Sequence, residues 1–100
     1  LTRCMAIDYA HQGVRVNSVS PGLVATPLTG GMPEATIDDF NRRIPMHRPA
    51  GPQEIAEVIT FLASPRASYL TGQNVAVDGG LTAHTGQPDV TSVRAQMARA

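Results

Sequence analysis

The sequence predicts an α/β fold in which two parallel strands, joined by a crossover helix, belong to a larger parallel sheet. Three stretches predict it. Residues 14–20 (VRVNSVS) are rich in β-branched side chains, with Val14 and Val16 alternating against Arg15 and Asn17, the period of a strand. Ile55, Val58, Ile59 and Leu62 recur at helical spacing behind Pro52, which makes the apolar stripe of a helix. Residues 74–77 (NVAV) form a second short strand that Asp78-Gly79-Gly80 ends. Strand, helix and strand in this order make a βαβ unit, whose right-handed connection lays two strands side by side under the helix. A parallel sheet needs cover on both faces and more strands than two, so the rest of the sheet is expected outside these 100 residues.

Taken in order, the first eleven residues (LTRCMAIDYAH) contain no Gly or Pro, set Leu1, Cys4, Met5 and Tyr9 at helical spacings, and run into Gly13 as a stop. They predict the end of an amphipathic helix. The strand over 14–20 follows, internal to its sheet and closed by Pro21-Gly22. Residues 23–50 are broken by Pro27, Gly30, Gly31, Pro33, Pro45 and Pro49, which leaves only 34–43 as a window for a short helix. So long a stretch with so little regular structure predicts a functional lid, about residues 28–48. In the helix over 52–63, Pro52 suits the first position, and Glu54 and Glu57 lie where the helix dipole favours anions. Ser64-Pro65 ends it, and 66–73 (RASYLTGQ) turns back to the second strand. The tail, 81–100, is mostly small and polar; Asp89 is placed to cap a last short helix carrying Val90, Val93 and Met97, with too thin a stripe to bury much.

A hydrophobic content of 42%, eight acidic against eight basic residues and a pI near 7.0 describe a soluble globular chain. All the cations are dispersed arginines, which excludes a basic face for tracking nucleic-acid phosphates or for anionic lipid. No apolar stretch is long enough to span a bilayer, and the first residues lack the pattern of a signal peptide. Cys4 stands alone, so neither an internal disulfide nor a multi-cysteine zinc site is possible within the chain; it reads as a packed helix residue in a reducing, cytoplasmic compartment. A chain of this size buries only about two-thirds of its unfolded surface. That marginal core, and a first residue that falls in mid-helix, predict part of something larger.

Read together, Val14-Arg15-Val16-Asn17-Ser18-Val19-Ser20-Pro21-Gly22-Leu23-Val24-Ala25-Thr26 resembles the C-terminal half of the short-chain dehydrogenase/reductase family. Arg48-Pro49-Ala50-Gly51-Pro52-Gln53-Glu54-Ile55-Ala56 is similar to its lid-to-helix junction. Phe61-Leu62-Ala63-Ser64, then Ser68-Tyr69-Leu70-Thr71-Gly72-Gln73, then Val77-Asp78-Gly79-Gly80 resemble its closing helix and last strand. The resemblance covers about residues 1–82. It implies the C-terminal part of a doubly wound (Rossmann) domain that binds NAD or NADP and transfers hydride between the cofactor and a carbonyl or secondary alcohol, with 83–100 as a tail outside it. It also implies roles: Pro21 and Gly22 as a wall beside the nicotinamide, Val24 as backbone partner of its carboxamide, and Thr26 as a hydroxyl donor. Ligands of open α/β sheets bind outside the carboxyl ends of the strands, where 21–26 emerge. Without the resemblance, Pro-Gly is a strand-ending turn and Thr26 the cap of a loop.

The sequence also departs from the family. The glycine-rich phosphate loop, the residue that selects NAD or NADP, and the serine with Tyr-x-x-x-Lys are not in it: Tyr9 has Gly13 at the fourth position and Tyr69 has Gln73. No catalytic proton donor is identified, and such a donor is worth about 100- to 10,000-fold; the chain alone is expected to be inactive. The other class of function left open is a non-catalytic module that pairs with another subunit. In the family, the last strand and the 52–63 helix form a subunit interface, which implies a homo-oligomer, dimer or tetramer.

Lesser constellations have plain alternatives. Met32, Phe40 and Met46, with Ile37 and Ile44, either wall an apolar substrate or pack the lid on its own domain. Arg42, Arg43 and Arg48 either attract an acidic substrate or solvate the lid. Arg15 and Asn17, on a strand, need partners and are expected to fix neighbouring loops; Asp78 is expected to brace Gly79-Gly80. His11, His47 and His84 lack the spacing of helix metal ligands, so no metal is expected. Ser20, His47 and Asp78 as a hydrolase triad would want the G-x-S-x-G elbow that Ser20 lacks.

Overall fold

In a computed structural model, which describes residues 1–99, the first element is helix α1, Thr2–Tyr9, extended by a 3-10 turn over Ala10–Gln12. It stops at Gly13, which takes a φ of 75°, a left-handed conformation that glycine adopts without steric cost. Ala6 is its buried residue, packed beside Gly72, where an added Cβ would lie 3.4 Å from that of Ala6.

The first strand is shorter and later than expected: β1 is Ser18–Pro21, not 14–20. Residues 14–17 are extended, but Val16 donates its N–H to Thr71 Oγ1 at 3.0 Å and accepts from Gly72 N at 2.8 Å. Pairing is therefore with a loop rather than with a strand. Pro21, expected to end the strand, lies inside it opposite Val77. A parallel ladder uses alternate N–H groups, and the donor to Val77 is Gly22, at 3.0 Å, so proline's missing N–H falls on the other edge of the strand.

Strand β2, Asn74–Val77, has the expected bounds and pairs in parallel with β1, Ser18 opposite Asn74 and Val19 opposite Val75. Between them runs the excursion expected as a lid. Its two ends are pinned together by a parallel bridge of Val24 with Ala50, in which Ala25 N donates to Ala50 O at 2.8 Å and Ala50 N to Leu23 O at 2.9 Å. Within it are a 3-10 turn, Thr29–Gly31, and helix α2, Glu34–Arg43. Helix α3, Pro52–Ala63, then crosses back with Leu62 buried against the sheet side. After β2 come a 3-10 turn, Leu81–Ala83, and helix α4, Val90–Arg99.

The core is thin. Among the described residues Ala6, Ile44, Leu62 and Ala67 are buried apolar side chains. The accessible surface is 7587 Å², against about 5,500 Å² for a compact monomer of this mass. The radius of gyration, 17.4 Å, exceeds the roughly 13 Å of a compact 100-residue domain. Two strands cannot bury both faces of a parallel sheet, and the excess surface is the consequence.

Candidate functional site

Because the strands are parallel, both carboxyl ends lie on one side, and residues 21–26 leave β1 there beside Asp78, Gly79 and Gly80 leaving β2. Gly22 sits where they touch. A Cβ at Gly22 would stand 2.9 Å from both Cα and Cβ of Asp78, closer than real side chains come. The need for glycine at this position is thus met within the chain, between two backbones, rather than only by approach of a bound molecule.

Val24 and Thr26 are tied into one small network by Thr29. The Thr29 hydroxyl lies 2.8 Å from the Val24 carbonyl and 2.9 Å from that of Thr26. It accepts the Thr26 N–H at 2.8 Å, while Thr29 N reaches Thr26 Oγ1 at 3.4 Å. Thr26 therefore does cap the following turn. Accepting uses a lone pair only, so the Thr26 hydroxyl keeps its proton to donate. Thr29 was not among the residues singled out from the sequence; its signal was the T-x-x-T spacing, a close relative of the capping box.

Beside this loop is a cleft of about 470 Å³, bordered by Leu23, Thr26, Thr29, Met32, Ile37 and Pro49. Of the three lid residues named above, Met32 borders it. Met46 instead lines an adjacent narrow crevice with Ile44 and Gly79, and Phe40, half-buried on α2, borders neither.

The far end of the lid is clasped to the turn after β2. Ile44 is 1% exposed, and a Cβ on Gly79, whose φ is 64°, would lie 2.8 Å from Ile44 Cγ2. Met46 N donates to Gly79 O at 3.1 Å. Asp78 braces that turn as expected, accepting from Gly80 N at 3.0 Å, Thr82 N at 3.1 Å and Thr82 Oγ1 at 2.6 Å. The Thr82 hydroxyl, then the Gly80 N–H, hold the Asp78 carboxyl below its ordinary range. His84 meets the Arg43 carbonyl across the same junction, Nε2 to O 2.9 Å.

The lid arginines, although largely exposed, each pair with a carboxylate of the chain. Arg48 grips Glu54 with two nitrogens at 2.7 and 2.9 Å, and Glu54 Oε1 also takes the Gly51 N–H at 2.9 Å. The guanidinium first, and that N–H second, lower the Glu54 carboxyl to about 2. Arg42 and Arg43 both reach Asp39, at 2.8 and 3.1 Å. Arg15 donates to the carbonyls of Leu70 and Ser64, each at 3.1 Å, and Asn17 both donates to Leu70 O at 2.8 Å and accepts Gln73 N at 3.0 Å. These two side chains fix the connector between α3 and β2, as expected.

The alternative chemistries find no constellation. Ser20 Oγ is bonded to Asn74 Oδ1, His47 Nδ1 to Asn41 O, and Asp78 to its own turn, so no triad forms. Among the described residues no group of His, Cys, Asp and Glu is arranged to hold a metal ion, and no helix is long and apolar enough to cross a membrane. Cys4, expected to be packed, is exposed. Tyr69 stands fully in solvent, and neither tyrosine borders the cleft beside Thr26.

Comparison with known proteins agrees with this geometry. A family model described as enoyl-(acyl carrier protein) reductase matches residues 1–82. The chain is 52% identical over 90 residues to meso-2,3-butanediol dehydrogenase of Serratia marcescens, covering 90% of this chain and 36% of that protein. It is 44% identical over 81 residues to 3-oxoacyl-(acyl-carrier-protein) reductase of Thermotoga maritima, covering 81% and 33%. The TT0495 protein of Thermus thermophilus superposes with a TM-score of 0.78 at 45% identity, over 83% of this chain and 36% of that one. A putative gluconate dehydrogenase from Agrobacterium tumefaciens gives 0.76 at 30% identity, over 80% and 32%. The chain thus spans about a third of the length of the curated relatives it matches. Its order of elements, parallel register and sequence agree with those of these relatives, and the chain belongs to the short-chain dehydrogenase/reductase family.

Proposed function

We propose that this chain supplies the nicotinamide side of an NAD(P)-dependent oxidoreductase, with residues 1–82 as the C-terminal half of the cofactor-binding domain and 83–100 as a tail. The carrying observation is the pair of unspent hydrogen-bonding positions at the carboxyl end of β1. Among the described residues the Val24 carbonyl accepts one bond where its lone pairs allow two, and the Thr26 hydroxyl retains its proton. An amide that both donates and accepts, as a nicotinamide carboxamide does, fits that pair. Pro21 and Gly22 form the adjoining wall, where the strand leaves the sheet.

When bound, the cofactor supplies a hydride to a carbonyl, or accepts one from a secondary alcohol. What this chain's residues do is orient the ring, through Val24 and Thr26, and exclude water with the excursion that ends at Ile44 to Arg48. Met32 and Ile37 offer an apolar wall to a small-molecule substrate; Phe40 and Met46 serve the packing of the lid. The proton donor comes from outside these 100 residues, in line with the solvent position of Tyr69. A cytoplasmic enzyme is proposed, assembled as a dimer or tetramer through α3 and the unpaired edge of β2. The exposed Ile59 and Phe61 on α3 support that assembly.

The test is titration of the full-length chain with NADH and NADPH. Thr26→Ala is expected to weaken the cofactor that binds by about threefold to tenfold, the worth of one hydrogen bond. An unchanged affinity removes the assignment.

A further inference from the structure

We infer that Thr29 is a positioning residue for the nicotinamide carboxamide, acting through the Val24 carbonyl; the inference rests on the assignment of residues 21–26 made above. A threonine hydroxyl has one proton and two lone pairs. In this chain that proton faces two acceptors, the Val24 carbonyl at 2.8 Å and the Thr26 carbonyl at 2.9 Å. They are not equivalent. The Thr26 carbonyl also receives the Gly30 N–H at 2.9 Å, whereas the Val24 carbonyl has no second donor among the described residues. Without the Thr29 hydroxyl, the Thr26 carbonyl keeps its donor and the Val24 carbonyl does not, and the Thr26 N–H loses its acceptor.

The hydroxyl is itself held firmly, because it accepts the Thr26 N–H at 2.8 Å. Val24 is thus fixed from two directions, by its bridge to Ala50 on the strand side and by Thr29 on the loop side. With one lone pair of its carbonyl directed to Thr29, the other is left for an incoming amide N–H. A ligand that lacks the carboxamide gains nothing from this arrangement.

The experiment follows from that last point. In the full-length chain, dissociation constants are measured for NADH and for ADP-ribose, or for NADPH and 2′-phospho-ADP-ribose if that cofactor binds. Thr29→Val keeps the side chain's shape and removes the hydroxyl; Thr29→Ser restores it. Thr29→Val is expected to weaken the nicotinamide-bearing ligand by about threefold to tenfold and to leave the nicotinamide-free one unchanged, with recovery in Thr29→Ser. Equal weakening of both ligands, or of neither, overturns the inference, since a role confined to folding does not distinguish them. Thr26→Ala, measured alongside, separates the two levels. If it lowers the preference for the nicotinamide-bearing ligand and Thr29→Val does not, the role of Thr29 alone falls. If neither variant alters that preference, the site assignment falls and takes Thr29 with it.

Discussion

At the carboxyl ends of the strands, three segments distant in sequence hold one another: the loop after β1, the end of the lid and the turn after β2. Gly22 lies against Asp78, Ile44 lies under Gly79, and the Asp78 carboxylate gathers three donors from its own turn. Helix α1 is built the other way. Only Ala6 is buried on it, while Leu1 and Ile7 are 94% and 78% exposed. The proposed site end contains its own supports within the chain, and α1 presents apolar surface that nothing in the described residues covers. Two parallel strands and the excursion between them can therefore fix a loop geometry by themselves.

That contrast can be broken most directly at Gly79. Valine there combines a positive φ with a Cβ 2.8 Å from Ile44 Cγ2, and a loss of about 4 kcal/mol in denaturant unfolding of the full-length chain is expected. Ile44→Ala attacks the same clasp from the other side. As the most deeply buried large side chain, it is expected to cost about 3 kcal/mol, read in the same way; a cost under about 1 kcal/mol would mean that the clasp contributes little.

The Arg48–Glu54 pair, half exposed, is expected to have a smaller effect that depends on pH. The Glu54 carboxyl is lowered from 4.5 to about 2 in the folded chain, so the unfolded chain binds its proton more readily. The stabilisation is present in full above about pH 4.5, and is lost as pH falls through about 2. Glu54→Gln should therefore lower the unfolding midpoint at neutral pH and converge with the unaltered chain in acid, with less difference in high salt. A difference independent of pH would contradict the pairing. The smallest effect is expected on α1: Ile7→Lys should change stability by no more than about 0.5 kcal/mol. A larger loss would show α1 to be covered, and would erase the contrast between the two regions.

Several elements were legible because their signals are local. Pro52 at a first helical position, with an apolar stripe behind it, set α3, and the proline-free window 34–43 set α2. Asn74–Val77 followed from β-branched residues ahead of Asp78-Gly79-Gly80. Residues 14–17 misled for a related reason. Their alternation suits extended backbone, and extended they are, but whether extended backbone joins a sheet depends on its neighbour, here the Thr71 hydroxyl and the Gly72 N–H. Arg48 was ambiguous in sequence because its partner, Glu54, lies beyond Pro49 and Gly51, and the bend between them decides whether the two meet.

The βαβ order, the helices, the turns at Gly13 and Asp78, and the family likeness carried by residues 14–26 and 48–80 could all be read from the chain's residues, since each depends on propensity, periodicity or motif within a few positions. That Gly22 is required by Asp78, that Gly79 seats Ile44, and that Thr29 joins Val24 to Thr26 emerged with the folded arrangement alone. Each of these rests on the close approach of separate segments, leaving no room for a Cβ at either glycine and bringing the Thr29 hydroxyl to 2.8 Å from its partners. Such contacts depend on where separate segments come to rest, and no local preference of either segment contains that information.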